Sequence, residues 1–398
     1  MTTDESIFQE RPIRVERPTS FYQYLIAPDG CYLGVGDQNS LATFDYVDDK
    51  SVWEVVGRDS YRHPTTGLEL ASTTSTLGVQ LRLEGNTISA SGAAGKAATY
   101  SVERGPADLP SNYLKHIQEN GWVCLPCIFD DEMVDGLQQA SCTGKYENGP
   151  LDPSQPPVAN HPAVARATVE PVSGWVIRQY MQTDAIKLGH APAFAVLPPD
   201  DGKREILAWH TDFPYLWGIT PRVAGDRIPV HNAGQFCMAI QRNIAITDFT
   251  KETGATCFKL GSHAKSSPPP DDWGTGAQYA KPGYRETHGL PYSGPEAEVL
   301  EAPAGSMVFY DARTWHRTGF NRTDHKRGAM LQAIVPMYIM PFMDTAAPYK
   351  AFVNSPVYAQ LNDRERREME TLMVHKIVGP LGQFAIGVDA ELTGMTTQ

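Results

Sequence analysis

A chain of 398 residues with 41% hydrophobic side chains has room for roughly two or three domains of about 100–200 residues and a sizeable core. Its formal charge of −12, from 34 basic and 46 acidic side chains, argues against a broad nucleic-acid footprint or a polybasic membrane contact. No apolar run approaches the roughly 18 residues of a membrane span, and the polar opening MTTDESIFQERPIRVERP lacks a secretory pattern, so a soluble, cytoplasmic protein is expected.

Residues 1–17 read as a tail. From 18 to 106, short alternating segments such as FYQYLIAPDGCYLGVG, SVWEVVGRDSY and GVQLRLEGNTISASG are separated by Gly, Asp and Asn turns, which predicts a small all-β accessory domain. No catalytic cluster stands out in it, and the expectation is a docking or homo-oligomerisation module. Pro110 and Ser111 open a helix, GWVCLPCIF is a short strand, and Asp130 and Asp131 start a second helix. Cys124 and Cys127 have redox-motif spacing, but no second CxxC follows, so they are read as packed thiols. Six cysteines in this length suggest a reducing compartment.

From about 172 to 340, GWVIRQYM, APAFAVLPP, EILAWHTDF, QFCMAIQRNIAITDF, ATCFKLG, AEVLEAPAGSMVFYD and GAMLQAIVPMYIM read as strands. Two long loops interrupt them, Pro214 to Gly234 and Ala264 to Glu298. Short strands with long loops suggest a sandwich or jelly roll over 107–345. Residues 346–398 read as a helical extension, its periodicity ending at Gly379-Pro380.

The chemistry concentrates in two stretches. LAWHTDFPY places His210 and Asp212 two apart among aromatic residues, and a polar pair so placed must be hydrogen-bonded, ion-paired or bound to something. In GSMVFYDARTWHRTGFNRTDHKRGAM, His316 ends an apolar strand and Arg327 follows eleven residues later, after turn residues Gly319, Asn321 and Asp324. Read as a hairpin, this brings Arg327 alongside His316. Residues i and i+2 of a strand face the same way, so His210 and Asp212 can share one ion, with His316 closing the face. Two histidines and one carboxylate leave positions open on an octahedral ion, which favours non-haem Fe(II) over structural zinc. Arg327 is suited to gripping a carboxylate bidentately, as on 2-oxoglutarate, with Thr318 adding a hydroxyl. A Ser–His–Asp hydrolase is disfavoured, because PAGSMVF and KLGSHAK are not nucleophile elbows. A hydrolase on the same triad, or a non-catalytic, metal-stabilised binding scaffold, is the alternative.

Four stretches resemble the phytanoyl-CoA dioxygenase (PhyH) family: FAVLPPDDGKREILAWHTD, IAITDFTKETGATCFKLGSH, APAGSMVFYDARTWHRTGFNRTDHKRGAMLQA and YLKHIQENGWVCLPCIFDDEMVDGLQQ. The resemblance covers roughly 108–340. It implies a mainly β (α+β) fold, with a double-stranded β-helix (jelly-roll or cupin-like) core and flanking helices. It also implies an Fe(II)- and 2-oxoglutarate-dependent dioxygenase that uses O2 and releases succinate and CO2. Carried over, His210, Asp212 and His316 are iron ligands, and Arg327 binds the distal 2-oxoglutarate carboxylate with help from Thr318. Trp209 packs the metal site and Asn321 braces the turn. His190, Gln241 and Asn243 are candidates for a further 2-oxoglutarate contact. Family members that halogenate lack the metal carboxylate, so Asp212 implies hydroxylation, or a desaturation, epimerisation or ring formation at the same site. The expected substrate is a small metabolite or natural-product intermediate. Phe213, Tyr215, Leu216 and Trp217 are expected to wall its pocket, with Arg178, Arg222, Arg242 and Arg313 as candidates for an anionic group.

Overall fold

The computed structural model describes residues 10–57, 60–71, 79–84, 87–92, 97–149, 155–203, 209–212, 237–265, 269–270, 273, 296–341, 343–379 and 382–386. The first strand, β1 (Glu10–Arg14), belongs to a sheet formed far along the chain. Nine strands follow: β2 (Gln23–Ile26), β3 (Tyr32–Val35), β4 (Leu41–Phe44), β5 (Glu54–Gly57), β6 (Ser60–Arg62), β7 (Glu69–Ala71), β8 (Val79–Glu84), β9 (Thr87–Gly92) and β10 (Ala97–Arg104). They form a six-stranded sheet, ordered β4-β3-β2-β10-β9-β8, and a three-stranded one, β5-β6-β7. Leu25, Leu33, Val35, Trp53, Tyr61, Leu70 and Tyr100 pack between them, and the indole of Trp53 donates to Leu33 O at 2.8 Å. Strand alternation turns Tyr24, Ile26 and Tyr32 the other way, where they join the core of the helical layer that follows.

That layer comprises α1 (Pro110–Asn120), α2 (Asp131–Ser141), α3 (Pro157–Asn160), α4 (Pro162–Thr168) and α5 (Pro171–Met181), with β11 (Trp122–Leu125) between the first two. Each long helix starts where its sequence permits. Pro110 needs no N–H partner at N1, and the Asp130 carboxylate accepts from Met133 N at 2.8 Å. The thiols of Cys124 and Cys127 are both buried and free.

The remaining strands are β12 (Ile186–Leu188), β13 (Ala193–Leu197), β14 (Ile240–Ala245), β15 (Cys257–Lys259), β16 (Ala297–Glu301), β17 (Met307–Asp311), β18 (Trp315–Arg317) and β19 (Arg327–Pro336). They make a larger antiparallel sheet, β11-β17-β14-β19-β12 with β13 also on β19, and a smaller one, β1-β16-β15-β18. Cys124, Val308 and Tyr310 of the larger sheet meet Phe258, Leu300 and Ala302 of the smaller. The opposite face of the larger sheet, with Ile240, Ile244, Met307, Phe309 and Met330, packs on the helices. The result is a jelly-roll core with flanking helices and an N-terminal β unit. Beyond it lie α6 (Ala346–Val353), α7 (Asp363–Met373), β20 (His375–Gly379) and β21 (Gly382–Ile386).

Four expectations need correction. GWVIRQYM lies inside α5, capped by Glu170, whose carboxylate accepts from Val172 N and Ser173 N; its nearly continuous burial hides the helical period. The N-terminal tail contains β1, which pairs in parallel with β16, a partner almost 300 residues away. The C-terminal helix stops at Met373, and β20 pairs with β21 beyond it, because Val374, Ile377 and Val378 are β-branched and suit extended backbone. His316 and Arg327 are not hairpin neighbours: β18 pairs with β15 and β19 with β13 and β14, so the connection crosses from one sheet to the other.

Candidate metal centre

His210 and His316 face each other through a two-way backbone bridge, each N–H donating to the other's carbonyl at 3.0 Å. Their rings lie with centroids 4.2 Å apart. Asp212 N–H donates to Ala312 O at 3.0 Å, which ties the segment to the turn before β18. The carboxylate then reaches both rings, Oδ1 at 3.5 Å from His210 Nε2 and Oδ2 at 3.4 Å from His316 Nε2. One donor atom from each of the three lies within 4.8 Å of the other two.

The protonation states suit a cation. His316 Nδ1–H donates to Thr314 O at 2.9 Å, which fixes the tautomer and leaves the Nε2 lone pair facing Asp212. Burial pushes His316 down to about 4, overcoming the nearby Asp212 charge. Burial raises Asp212, but His316 and His210 outweigh it and hold the carboxyl below its usual range. A neutral imidazole at His316 and an ionised carboxylate at Asp212 are the forms in which these groups bind a divalent metal. The donor set is two nitrogens and one oxygen without a thiolate, which fits non-haem Fe(II).

The surrounding residues divide by what they touch. Tyr310 stands edge-on to His316 with centroids 5.2 Å apart, and its hydroxyl pairs with the Asn243 side chain. Burial and the Asp212 charge keep that phenol well above its usual range, hence neutral. Gln241 Nε2 donates to Asn243 Oδ1 at 3.3 Å, so both amides lie on the inter-sheet face of β14. His190 has both ring nitrogens engaged by backbone, Nδ1 with Ala191 O at 2.7 Å and Nε2 with Ala333 N at 3.2 Å. Arg327 is buried at the start of β19, donating to Gly254 O at 3.2 Å with its guanidinium 5.2 Å from the Phe249 ring. Thr318 is half-buried, and its carbonyl accepts from Arg317 at 3.2 Å. Asn321 donates to Leu197 O at 2.9 Å and His325 O at 2.7 Å, pinning the crossing connection. Trp209 is buried, edge-on to Trp273 and beneath the Arg317 guanidinium.

Three of the proposed anion-binding arginines have other work. Arg178 pairs with Glu368 at 2.9 Å, Arg313 with Asp311, and Arg242 donates to Gln332, Ser173 and Thr168 on the helix side. Arg222, Phe213, Tyr215, Leu216 and Trp217 lie outside the described residues, as do the 214–234 loop and most of 264–298. Sequence reasoning missed Tyr310. The signal was the alternation in SMVFYD, which sets Val308 and Tyr310 on the face opposite Phe309 and Asp311.

Comparison with known proteins gives a family match over part of the chain. Residues 147–329 match the family model described as phytanoyl-CoA dioxygenase (PhyH). Among solved structures, the chain is similar to the non-haem α-ketoglutarate-dependent epimerase SnoN from nogalamycin biosynthesis. Identity is 18% over 57% of this chain and 81% of that one, with a TM-score of 0.39. It is also similar to HygX from Streptomyces hygroscopicus with nickel, 2-oxoglutarate and hygromycin B bound. There the identity is 15% over 58% and 88% of the two chains, with a TM-score of 0.40. No curated protein gives a significant match. The matched stretch spans just under half of the chain and contains His210, Asp212, His316 and Arg327, and the match points to a non-haem enzyme dependent on Fe(II), 2-oxoglutarate and O2.

Proposed function

We propose that the chain hydroxylates an unactivated C–H bond of a small molecule, with His210, Asp212 and His316 holding the iron. The observation that carries this reading is the convergence of three donor atoms within 4.8 Å, one of them the Asp212 carboxylate. The overall reaction balances as substrate C–H plus 2-oxoglutarate plus O2 giving alcohol, succinate and CO2. When bound, iron would supply O2 activation coupled to oxidative decarboxylation of the 2-oxo acid.

The chain's own residues do the remaining work. His316 stays neutral, held by Thr314 O, so its Nε2 is available as a ligand. Asp212, its carboxylate beside both imidazoles, would contribute the anionic donor. Arg327, buried and permanently charged, would neutralise the distal carboxylate of 2-oxoglutarate, with Thr318 as a hydroxyl donor. Gln241 and Asn243 supply amide donors from the inter-sheet face, Trp209 packs the approach to His210, and Asn321 fixes the connection that delivers Arg327. The net charge of −12 favours a metabolite or natural-product scaffold over a polyanion.

The test is a screen of small-molecule pools with Fe(II), 2-oxoglutarate and isotopically labelled O2. A product that gains one labelled oxygen, formed in step with succinate, supports hydroxylation. A product that loses two hydrogens, or keeps its mass with inverted stereochemistry, would reassign the outcome to desaturation or epimerisation. No succinate under any condition, from iron-loaded protein, would refute the reading.

A further inference from the structure

The turn between β17 and β18 holds two of the three proposed ligands by its backbone. Ala312 O accepts from Asp212 N–H at 3.0 Å, and Thr314 O accepts from His316 Nδ1–H at 2.9 Å. The shape of this turn therefore sets where the Asp212 carboxylate and the His316 imidazole point. One fully buried side chain locks it. Asp311 Oδ1 accepts from Arg313 N at 3.0 Å and Arg313 Nε at 2.8 Å, and Oδ2 from Arg313 Nη2 at 2.6 Å. Its backbone carbonyl accepts from Thr314 N at 2.8 Å, and its N–H donates to Gly121 O at 2.9 Å. The Tyr180 hydroxyl reaches Oδ2 from α5 at 3.1 Å, joining the turn to the helical layer.

We infer that Asp311, clamped by Arg313 and Tyr180, is a positioning residue that presets Asp212 and His316 for the metal. This rests on the triad reading above. Asp311 touches no ligand itself and acts through the carbonyls of Ala312 and Thr314. Nothing in the family match assigns it a role, and its partner Tyr180 lies on a helix outside both sheets. A buried carboxylate that accepts from four donors cannot rotate without breaking several of these bonds, which fixes the shape of the turn.

The experiment is an anaerobic Co(II) titration of the full chain, reading affinity and the visible d–d spectrum, on wild type, Asp311→Asn, Tyr180→Phe and His316→Ala. Supporting groups of this kind typically change metal affinity about 10–100-fold. Asp311→Asn is expected to weaken Co(II) binding within that range and shift the spectrum. Tyr180→Phe should shift both in the same direction by less. A merely structural role would lower thermal stability and leave the spectrum of the bound ion unchanged, and that result overturns the inference. If Asp311→Asn does not fold, Tyr180→Phe decides: unchanged affinity and spectrum overturn it. His316→Ala separates the two levels. Loss of Co(II) there, with wild-type behaviour in Asp311→Asn, removes only this inference. Wild-type Co(II) binding by His316→Ala removes the triad reading and this inference together.

Discussion

At the residue scale, His316 carries two instructions in one ring. Its Nδ1–H is committed to Thr314 O, and its burial holds the imidazole at about 4 instead of 6.5. Between those values the unfolded chain binds a proton that the folded protein does not, so stability falls as pH drops through that window. Asp212 acts in the same sense. Its depressed carboxyl contributes stability present above the unfolded value and lost as pH falls through the folded one. The metal-free protein should therefore be less stable at pH 5 than at pH 7. His316→Gln should flatten that slope, measured by urea midpoints at the two pH values; an unchanged slope would contradict the assignment. The H-x-D spacing made the candidates readable from the chain, because period-two geometry needs no tertiary information. Tyr310 was harder to see, since an aromatic residue in an apolar strand looks like ordinary core until His316 and Asn243 are beside it.

At the element scale, the smaller sheet is completed by residues that look like a polar tail. Glu10 on β1 is 8% exposed, and its Oε1 meets Arg317 at 3.0 Å while Oε2 lies 3.4 Å from Arg322. Arg317 in turn follows His316 and covers Trp209. Removing one partner of a buried pair costs about 3–5 kcal/mol, so Glu10→Ala should lose that much in denaturant unfolding and Glu10→Gln less. Equal stability to wild type would show β1 to be dispensable. Two glycines belong to the same region. At Gly254, φ is +79° and a Cβ would lie 2.7 Å from the Phe320 carbonyl carbon. At Gly319, a Cβ would lie 2.3 Å from Ala255 O. Alanine at either should shift the connection that carries Asn321 and Arg327, raising the 2-oxoglutarate KM more than it lowers kcat. The strands of the β unit and the pair α1 and α2 were legible because turn residues and caps mark them locally. By contrast, continuous burial hides the period of α5, and β1 pairs with a strand distant in sequence, neither of which a local pattern encodes.

At the scale of the whole molecule, the N-terminal β unit shares a core with the enzyme. Tyr24, Ile26, Tyr32, Val47 and Val52 pack with residues of α1, α4, α5 and α7. Tyr46 donates to Glu368 at 2.9 Å, where Arg178 also pairs, and Arg364 N donates to Asp29 O at 3.0 Å. The sequence suggested a docking module, but this face of its sheet is taken by the chain's own helices. We expect the full chain to unfold as one unit, with tryptophan fluorescence and far-ultraviolet circular dichroism transitions coinciding. A chain lacking residues 1–106 should aggregate. A soluble, cooperatively folding truncation would contradict the shared core.

The measurement that bears most directly on the central claim is an anaerobic titration with Fe(II) followed by 2-oxoglutarate, watching for the visible charge-transfer band of a chelated 2-oxo acid. The account predicts a band in the wild type, a weaker one at the same 2-oxoglutarate concentration in Arg327→Ala, and none in His316→Ala. Confirmed iron binding with no band in the wild type, or a full band in His316→Ala, would contradict it.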